Sequence, residues 1–253
     1  MAGGANTAGN APAGQGFRAQ AMILAAGRGE RMRPLTDAAP KPLLEVRGKP
    51  LMQWPMEALA QGGFDRAVIN TAWLGEMIPA RYGEHPQLGG LAMSIRYSHE
   101  GKDFGGALET AGGIARALPL LDEVFWVLAS DVFMPDFKFT RQQFDNFADS
   151  GKLGHIWLVP NPSHNPKGDF GLSAQGLALR DADTRYTFST VGLYRKALFA
   201  SLPAGNPEGL KAPLAPLLRS AMDGSQVTAQ LYSGAWTDVG TPERLALLNG
   251  LSP

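Results

Sequence analysis

The 253-residue sequence contains no cysteine, which excludes disulfides, thiolate nucleophiles and cysteine-ligated metal centres. It also lacks an excess charge of either sign. Its 23 Lys plus Arg balance 23 Asp plus Glu, so there is no global field to favour nucleic acid or an anionic membrane surface. No apolar run approaches the roughly 20 residues that cross a bilayer. The four histidines, His85, His99, His155 and His164, follow no metal-ligand spacing, and no Ser-His-Asp order points to an activated nucleophile. Internal repeats and coiled-coil heptads are missing too. Residues 1–19, rich in Gly, Ala and Asn, read as a disordered tail without the apolar core of a signal peptide. What remains, residues 20–253, has the length of a single α/β domain, expected in the cytoplasm and as a monomer.

What is present is an alternation of strand and helix signals. A continuous apolar run at 21–26 reads as a strand buried on both faces and closed by Gly27. A helix at 51–61, a strand at 66–71, a helix at 74–82, a strand at 91–97 and a helix at 108–118 follow. This is the order of parallel βαβ units. The apolar strand at 124–129 runs into Asp131, and the carboxyl end of a strand is where open α/β sheets bind ligands. Beyond residue 150 the sequence predicts a strand at 153–159, a Pro-, Gly- and Asn-rich stretch, and short strands near 170–180 and 187–194 that suggest a small β-rich lobe. A helix near 213–222, a strand at 227–232 and a last helix from Pro242 close the pattern.

Four arginines and two lysines crowd into residues 25–50, directly after the first strand. Glycines there let the backbone approach a ligand, and consecutive N–H groups can cradle phosphate oxygens. Gly27-x-Gly29 alone is also compatible with a plain tight turn. No Gly-Lys-Ser/Thr follows, so it is not a Walker loop, and the third glycine of the dinucleotide fingerprint is missing. Lys41 lies between Pro40 and Pro42, which fix the local backbone. Asp131 and Asp238 offer carboxylate oxygens suited to Mg²⁺, although a strand-end cap and a helix N-cap are the plainer readings of each. Glu109 at the start of the 108–114 segment is equally compatible with a helix-dipole partner.

Taken together, Gly27-Arg28-Gly29-Glu30-Arg31, Pro34-Leu35-Thr36 and Pro40-Lys41-Pro42 resemble the signature of the sugar-1-phosphate nucleotidyltransferases. The resemblance continues through residues 69–78, 108–114, 130–131, 168–170 and 236–245, and is nearest to the N-acetylmuramate-1-phosphate uridylyltransferases of bacterial cell-wall recycling. It implies a Rossmann-like fold, mostly parallel with a β-rich sugar lobe, in which NTP and a sugar-1-phosphate give NDP-sugar and pyrophosphate with Mg²⁺. UTP is the expected nucleotide. Both substrates are anions, so cations and oriented N–H groups would stabilise the transition state.

The resemblance assigns Arg31 and Lys41 to the reacting phosphates, and Ala26, Gly27, Gly29, Glu30, Asn70, Ala72, Thr110 and Gly112 to the nucleotide. Asn161, Gly168 and Asp169 fall to the sugar, and Asp131 with Asp238 to the metal. Arg28, Arg33, Arg47 and Lys49 have no such match and read as solvated or secondary charge. Two departures bear on specificity. Ala129-Ser130-Asp131 stands where relatives commonly have Asn-Gly-Asp, and Ala111 interrupts the glycines after Thr110, as in the mannose-1-phosphate guanylyltransferases. That activity, and a binding or regulatory subunit without turnover, remain the alternatives. A glycosyltransferase would need an Asp-x-Asp that the 124–129 strand does not carry.

Overall fold

The computed structural model describes residues 17–250. Seven strands form the central sheet: β1 (Ala19–Ala25), β2 (Arg66–Thr71), β3 (Ser94–His99), β4 (Leu121–Ala129), β5 (Gly154–Val159), β6 (Thr187–Arg195) and β7 (Val227–Leu231). Their spatial order is β7-β5-β6-β4-β1-β2-β3. All run parallel except β6, which is antiparallel to both of its neighbours. The 187–194 segment, expected as a lobe strand, is therefore part of the main sheet. The lobe keeps only the two-residue hairpin Gly171–Leu172 with Ala178–Leu179.

Side-chain alternation explains why helices cover both faces. On β1 and β4, Ala21, Ile23, Ala25, Val124, Trp126 and Leu128 enter one cluster. Met22, Phe125 and Val127 enter the other. The first cluster is covered by α1 (Gln53–Gln61), α2 (Met77–Tyr82) and α4 (Arg141–Asp149). The second is covered by α3 (Glu109–Ala117) and α5 (Leu214–Asp223). Trp126 is wholly buried and meets Phe139 edge-on at 5.0 Å. No helix among the described residues is long and apolar enough to cross a membrane.

Three differences from the sequence reading have physical causes. β1 begins at Ala19, and Phe17 packs on the second cluster, so the tail is shorter than 19 residues; residues 1–16 lie outside the described residues. The strand expected at 91–97 is displaced to Ser94–His99, because Gln87–Leu88 and Leu91–Ala92 pair in a hairpin whose turn glycines sit at positive φ. Helix α4 was absent from the pattern, yet its start is written in Thr140-x-x-Gln143. Thr140 Oγ1 accepts from Gln143 N–H and Gln143 Oε1 accepts from Thr140 N–H, the reciprocal capping box, with the cap worth about 1 kcal/mol.

The register sets the site. Leu24 lies opposite Ala129 and Ala25 opposite Thr71, so β1, β2 and β4 end at a common level. The chain leaves β1 toward β2 and β3, and returns to the other flank of β1 as β4. This is the switch point at which open sheets form a crevice.

One titration follows from the packing of β5. His155 stacks edge-on against Trp157 and hydrogen-bonds Thr228 Oγ1 at 2.8 Å, and burial pushes its pKa down to about 4. The unfolded chain takes up that proton near pH 6.5, so the neutral ring's contribution is complete above 6.5 and is lost as pH falls toward 4. The difference is on the order of 3 kcal/mol. Urea midpoints at pH 7.5 and 4.5 should therefore differ less in His155→Gln than in the native sequence. An unchanged difference would remove His155 from the acid sensitivity.

Candidate active site

Beyond Ala25 the chain turns through Gly27 and Gly29. Gly29 has φ +67°, and an added Cβ would meet Thr36 Cγ2 at 3.0 Å and Lys41 Cβ at 3.2 Å, so strain and contact both require glycine. Gly27 faces open space. With Ala26 it borders a cleft of about 230 Å³ that Asn70, Thr110 and Asp131 also line. The loop is braced from behind. Thr36 Oγ1 donates to the Gly29 carbonyl at 2.8 Å, while Trp73 Nε1 and Arg28 Nη1 donate to the Thr36 carbonyl at 2.9 and 3.1 Å. The Arg28 guanidinium lies 3.6 Å above the Trp73 ring and reaches Asp37, which Arg33 also binds. Arg28 is thus a structural strut rather than solvated charge.

Lys41 is buried within a 3-10 turn, and its Nζ donates to Asp131 Oδ2 at 2.8 Å. Asp131 and Asp238 meet through a short ladder. Val132 pairs with Asp238, Phe133 with Thr237, and the Val239 N–H donates to the Asp131 carbonyl at 3.0 Å. A third apolar cluster holds this arrangement. Met32 from the loop, Val46, Leu51, Phe133 and Val239 pack with Leu245 of α6 (Pro242–Leu248). The N-cap of α6 is Thr241, so Asp238 is not consumed as a cap. Its Oδ2 instead accepts from Arg244 Nη1 at 2.9 Å and lies 3.3 Å from His164 Nε2. Arg31 is exposed and forms no ion pair among the described residues. Its Nη2 lies beside Gly240, 3.3 Å from where a Cβ would stand, and the same Cβ would be 3.0 Å from Asp238 Oδ1. Arg31, Lys41, Asp131 and Asp238 therefore converge on one edge of the sheet. Glu30 opens the turn next to Arg31 and is exposed.

Asn70, besides lining the cleft, braces it. Its Oδ1 accepts from Ala25 N–H at 2.8 Å, and its Nδ2 donates to Glu100 Oε1 at 2.7 Å. Glu100 Oε2 in turn accepts from Leu108 N–H at 2.8 Å. This buried bracket ties the start of the glycine loop to the segment that carries Thr110. Burial pushes the Glu100 carboxyl up, against hydrogen bonds from Leu108 and Asn70 that lower it. Gly113 makes room for the bracket, since a Cβ there would stand 2.5 Å from Glu100 Oε1. Gly112 is pressed on the Leu210 carbonyl, in a loop that Asn206 holds with bonds to Gly112 O and Leu210 O. Its missing side chain serves packing away from the cleft. Ala72 packs on Gly101 and lines a separate hollow with His99 and Lys102, so the structure does not bring it to the glycine loop.

The polar groups of the lobe residues are engaged within the lobe, Asn161 at its surface. Asn161 bonds Thr187 Oγ1 and the Arg185 carbonyl, Asp169 accepts from Phe188 N–H at 2.8 Å and from Asn165, and Gly168, at φ +63°, abuts the Arg185 backbone. They close their own turn and do not line the cleft. Phe170, Phe188 and Thr190 instead face a cavity that adjoins it. At the Ala129-Ser130-Asp131 departure, Ser130 N–H and Oγ both donate to the Leu24 carbonyl, at 3.0 and 2.7 Å, which fastens the end of β4 to β1. The roles of Trp73, Glu100 and His164 were not legible in the sequence because each acts through a partner remote in the chain. Arg244 pairs with nearby Asp238, and its signal was its place in the first turn of the helix that follows.

Residues 20–185 match the Nucleotidyl transferase family. An N-acetylmuramate alpha-1-phosphate uridylyltransferase of Neisseria meningitidis is 47% identical over 89% of this chain and 95% of its own length. A protein of the same name from Caulobacter vibrioides is 31% identical over 88% and 92%. Among solved structures, a Bacillus anthracis protein assigned as a glucose-1-phosphate thymidylyltransferase superposes with a TM-score of 0.72 over 91% of this chain and 94% of its own. At 19% identity that likeness speaks for the fold.

Proposed function

The chain belongs to the nucleotidyl transferase family, and from that premise we propose that it moves a uridylyl group from UTP to N-acetylmuramate-1-phosphate, with pyrophosphate as the other product. The observation that carries this reading is the 47% identity to a uridylyltransferase of that specificity across nearly the whole of both chains. The site supplies the chemistry. A sugar-phosphate oxygen attacks the α-phosphorus in line, the new P–O bond forms as the bond to pyrophosphate breaks, and negative charge gathers on the departing group. Arg31 presents a planar fork to the triphosphate, and Lys41 a point charge that a substrate phosphate can draw from Asp131. Gly27 has open space where a side chain would stand, so a phosphate can approach the backbone there.

Asp131 and Asp238 would hold a Mg²⁺ ion, which supplies charge neutralisation on the reacting phosphates when bound. The donor set fits. Asp131 and Asp238 flank the short ladder at the edge of the cleft, Asp238 paired with Val132 and Asp131 next to it in the chain, and each offers a partly exposed carboxylate, with His164 3.3 Å from that of Asp238. Substrate phosphate and water complete the usual shell of this ion. The product class, a nucleotide-activated cell-wall sugar, places the reaction in peptidoglycan recycling in the cytoplasm.

Pyrophosphate release is the test, measured with Mg²⁺ for each of four NTPs against N-acetylmuramate-1-phosphate, glucose-1-phosphate and mannose-1-phosphate. UTP with N-acetylmuramate-1-phosphate is expected to give the highest kcat/KM. GTP with mannose-1-phosphate exceeding it would establish the guanylyl reading, and no release from any pair would leave a binding subunit.

A further inference from the structure

Trp73 sits in a strained bend beside the site. The chain leaves β2 at Thr71 and turns through Leu74 at φ +46°, a left-handed conformation uncommon for residues other than glycine. Gly75 closes the bend. Its N–H donates to the Ala72 carbonyl at 3.2 Å, and a Cβ there would stand 2.9 Å from Thr71 Cβ. Strain of this kind persists where the surroundings fix it, and it gathers at functional sites. Here the bend delivers one half-buried indole to the back of the glycine loop.

Two hydrogen bonds in series lead from that indole to Arg31. Trp73 Nε1 donates to the Thr36 carbonyl at 2.9 Å, and Thr36 Oγ1 donates to the Gly29 carbonyl at 2.8 Å. The same Gly29 carbonyl accepts from the Met32 N–H at 2.9 Å, the bond that closes the 3-10 turn Glu30–Met32. Arg31 is the middle residue of that turn. It has no ion pair among the described residues, so this backbone sets where its guanidinium points. Lys41 is fixed by other means, its flanking prolines and the Asp131 carboxylate. Neither bond in the series is needed to keep a buried carbonyl satisfied. Without the indole the Thr36 carbonyl retains Arg28 Nη1 at 3.1 Å, and without the hydroxyl the Gly29 carbonyl retains the Met32 N–H. Losing either one therefore costs geometry more than stability.

We propose that Trp73 is a positioning residue for Arg31, acting through Thr36 and Gly29 to hold the arginine's fork where the triphosphate arrives. The inference rests on the nucleotidyl-transfer reading above and gives Trp73 no contact with either substrate. The Arg28 guanidinium, 3.6 Å above the ring and itself held by Asp37, clamps the indole in its plane. An arginine on an unbraced turn would have to be ordered at the moment of reaction, and the advantage of a preset charge would be lost.

The test is a double-mutant cycle between Trp73→Phe and Arg31→Ala, read as kcat/KM for UTP with saturating N-acetylmuramate-1-phosphate and Mg²⁺. In the native sequence Trp73→Phe should lower kcat/KM about tenfold, the scale of one hydrogen bond. In the Arg31→Ala background the same change should cost less than about twofold, because the group it positions is gone. Thr36→Val, which removes only the hydroxyl, should give the same pair of results. Calorimetric binding of inorganic pyrophosphate with Mg²⁺ reads the same coupling without turnover or a base, which separates failure of the brace from failure of the catalytic reading. A tenfold loss that persists in Arg31→Ala, or native kcat/KM in both Trp73→Phe and Thr36→Val, overturns the proposal and leaves Trp73 to packing.

Discussion

Lys41→Ala is expected to lower turnover at least about 10²-fold, the scale on which a single transition-state charge contact is lost, while the fold survives. The lysine stem lies under Gly29, between two prolines, and its ammonium is delivered to the mouth of the cleft with little freedom to move. That preorganisation is why the loss should appear in kcat rather than in KM alone. Stability should change little. Asp131, the partner left behind, is 37% exposed and can be solvated, so no uncompensated charge remains inside. Lys41→Arg should fail to restore activity, because a longer planar group does not fit the space beneath Gly29. A purified Lys41→Ala enzyme with native melting temperature and kcat within threefold of native would remove the lysine from the reaction. Arg31→Ala should show a loss of the same order.

The second large effect is expected at the paired carboxylates. Asp131→Asn and Asp238→Asn each halve the negative charge offered to a divalent ion while nearly keeping shape. Both should lower turnover by about 10²-fold or more and raise the Mg²⁺ concentration needed for half activity. Excess Mg²⁺ should recover part of the loss. The double variant should be hardly worse than the poorer single one, since groups that act as a unit are not additive. The two positions start from different surroundings. Asp131 must give up Lys41, whereas Asp238 stays held by Arg244. The Mg²⁺ shift should therefore be the larger for Asp238→Asn if Arg244 orients the carboxylate, and Arg244→Gln should reproduce part of it. Normal Mg²⁺ dependence in both Asn variants would rule out the two-aspartate site.

Much of the fold and of the glycine-loop side of the site is legible in the sequence, for identifiable reasons. The strands at the heart of the sheet are buried on both faces, so they appear as unbroken apolar runs, and the glycines, prolines and Lys41 after β1 are consecutive in sequence. Where contact depends on distant residues the signal vanishes. Nothing in Asn161, Gly168 or Asp169 says that their polar atoms bond one another's turn across more than fifteen residues of sequence. Asn70 lines the cleft, but its bracing role is hidden because the Glu100 it bonds lies 30 residues on. The direction of β6 was equally hidden, since a fully buried antiparallel strand has the same apolar character as a parallel one.

The third apolar cluster also bears on how the enzyme comes into being. Met32 and Val46 complete their packing, begun against Leu51 and Phe133, with Val239 and Leu245, and the Arg47 N–H and Glu45 carbonyl are both held by the side chain of Asn249. During synthesis the first half of the sheet can form early, since domains gather structure from the N-terminus onward. The glycine loop, although translated among the first residues, then waits for nearly the whole polypeptide before it acquires its final backing and its second carboxylate. A ribosome-bound chain halted before Thr237 should be able to fold much of its sheet and still be catalytically silent.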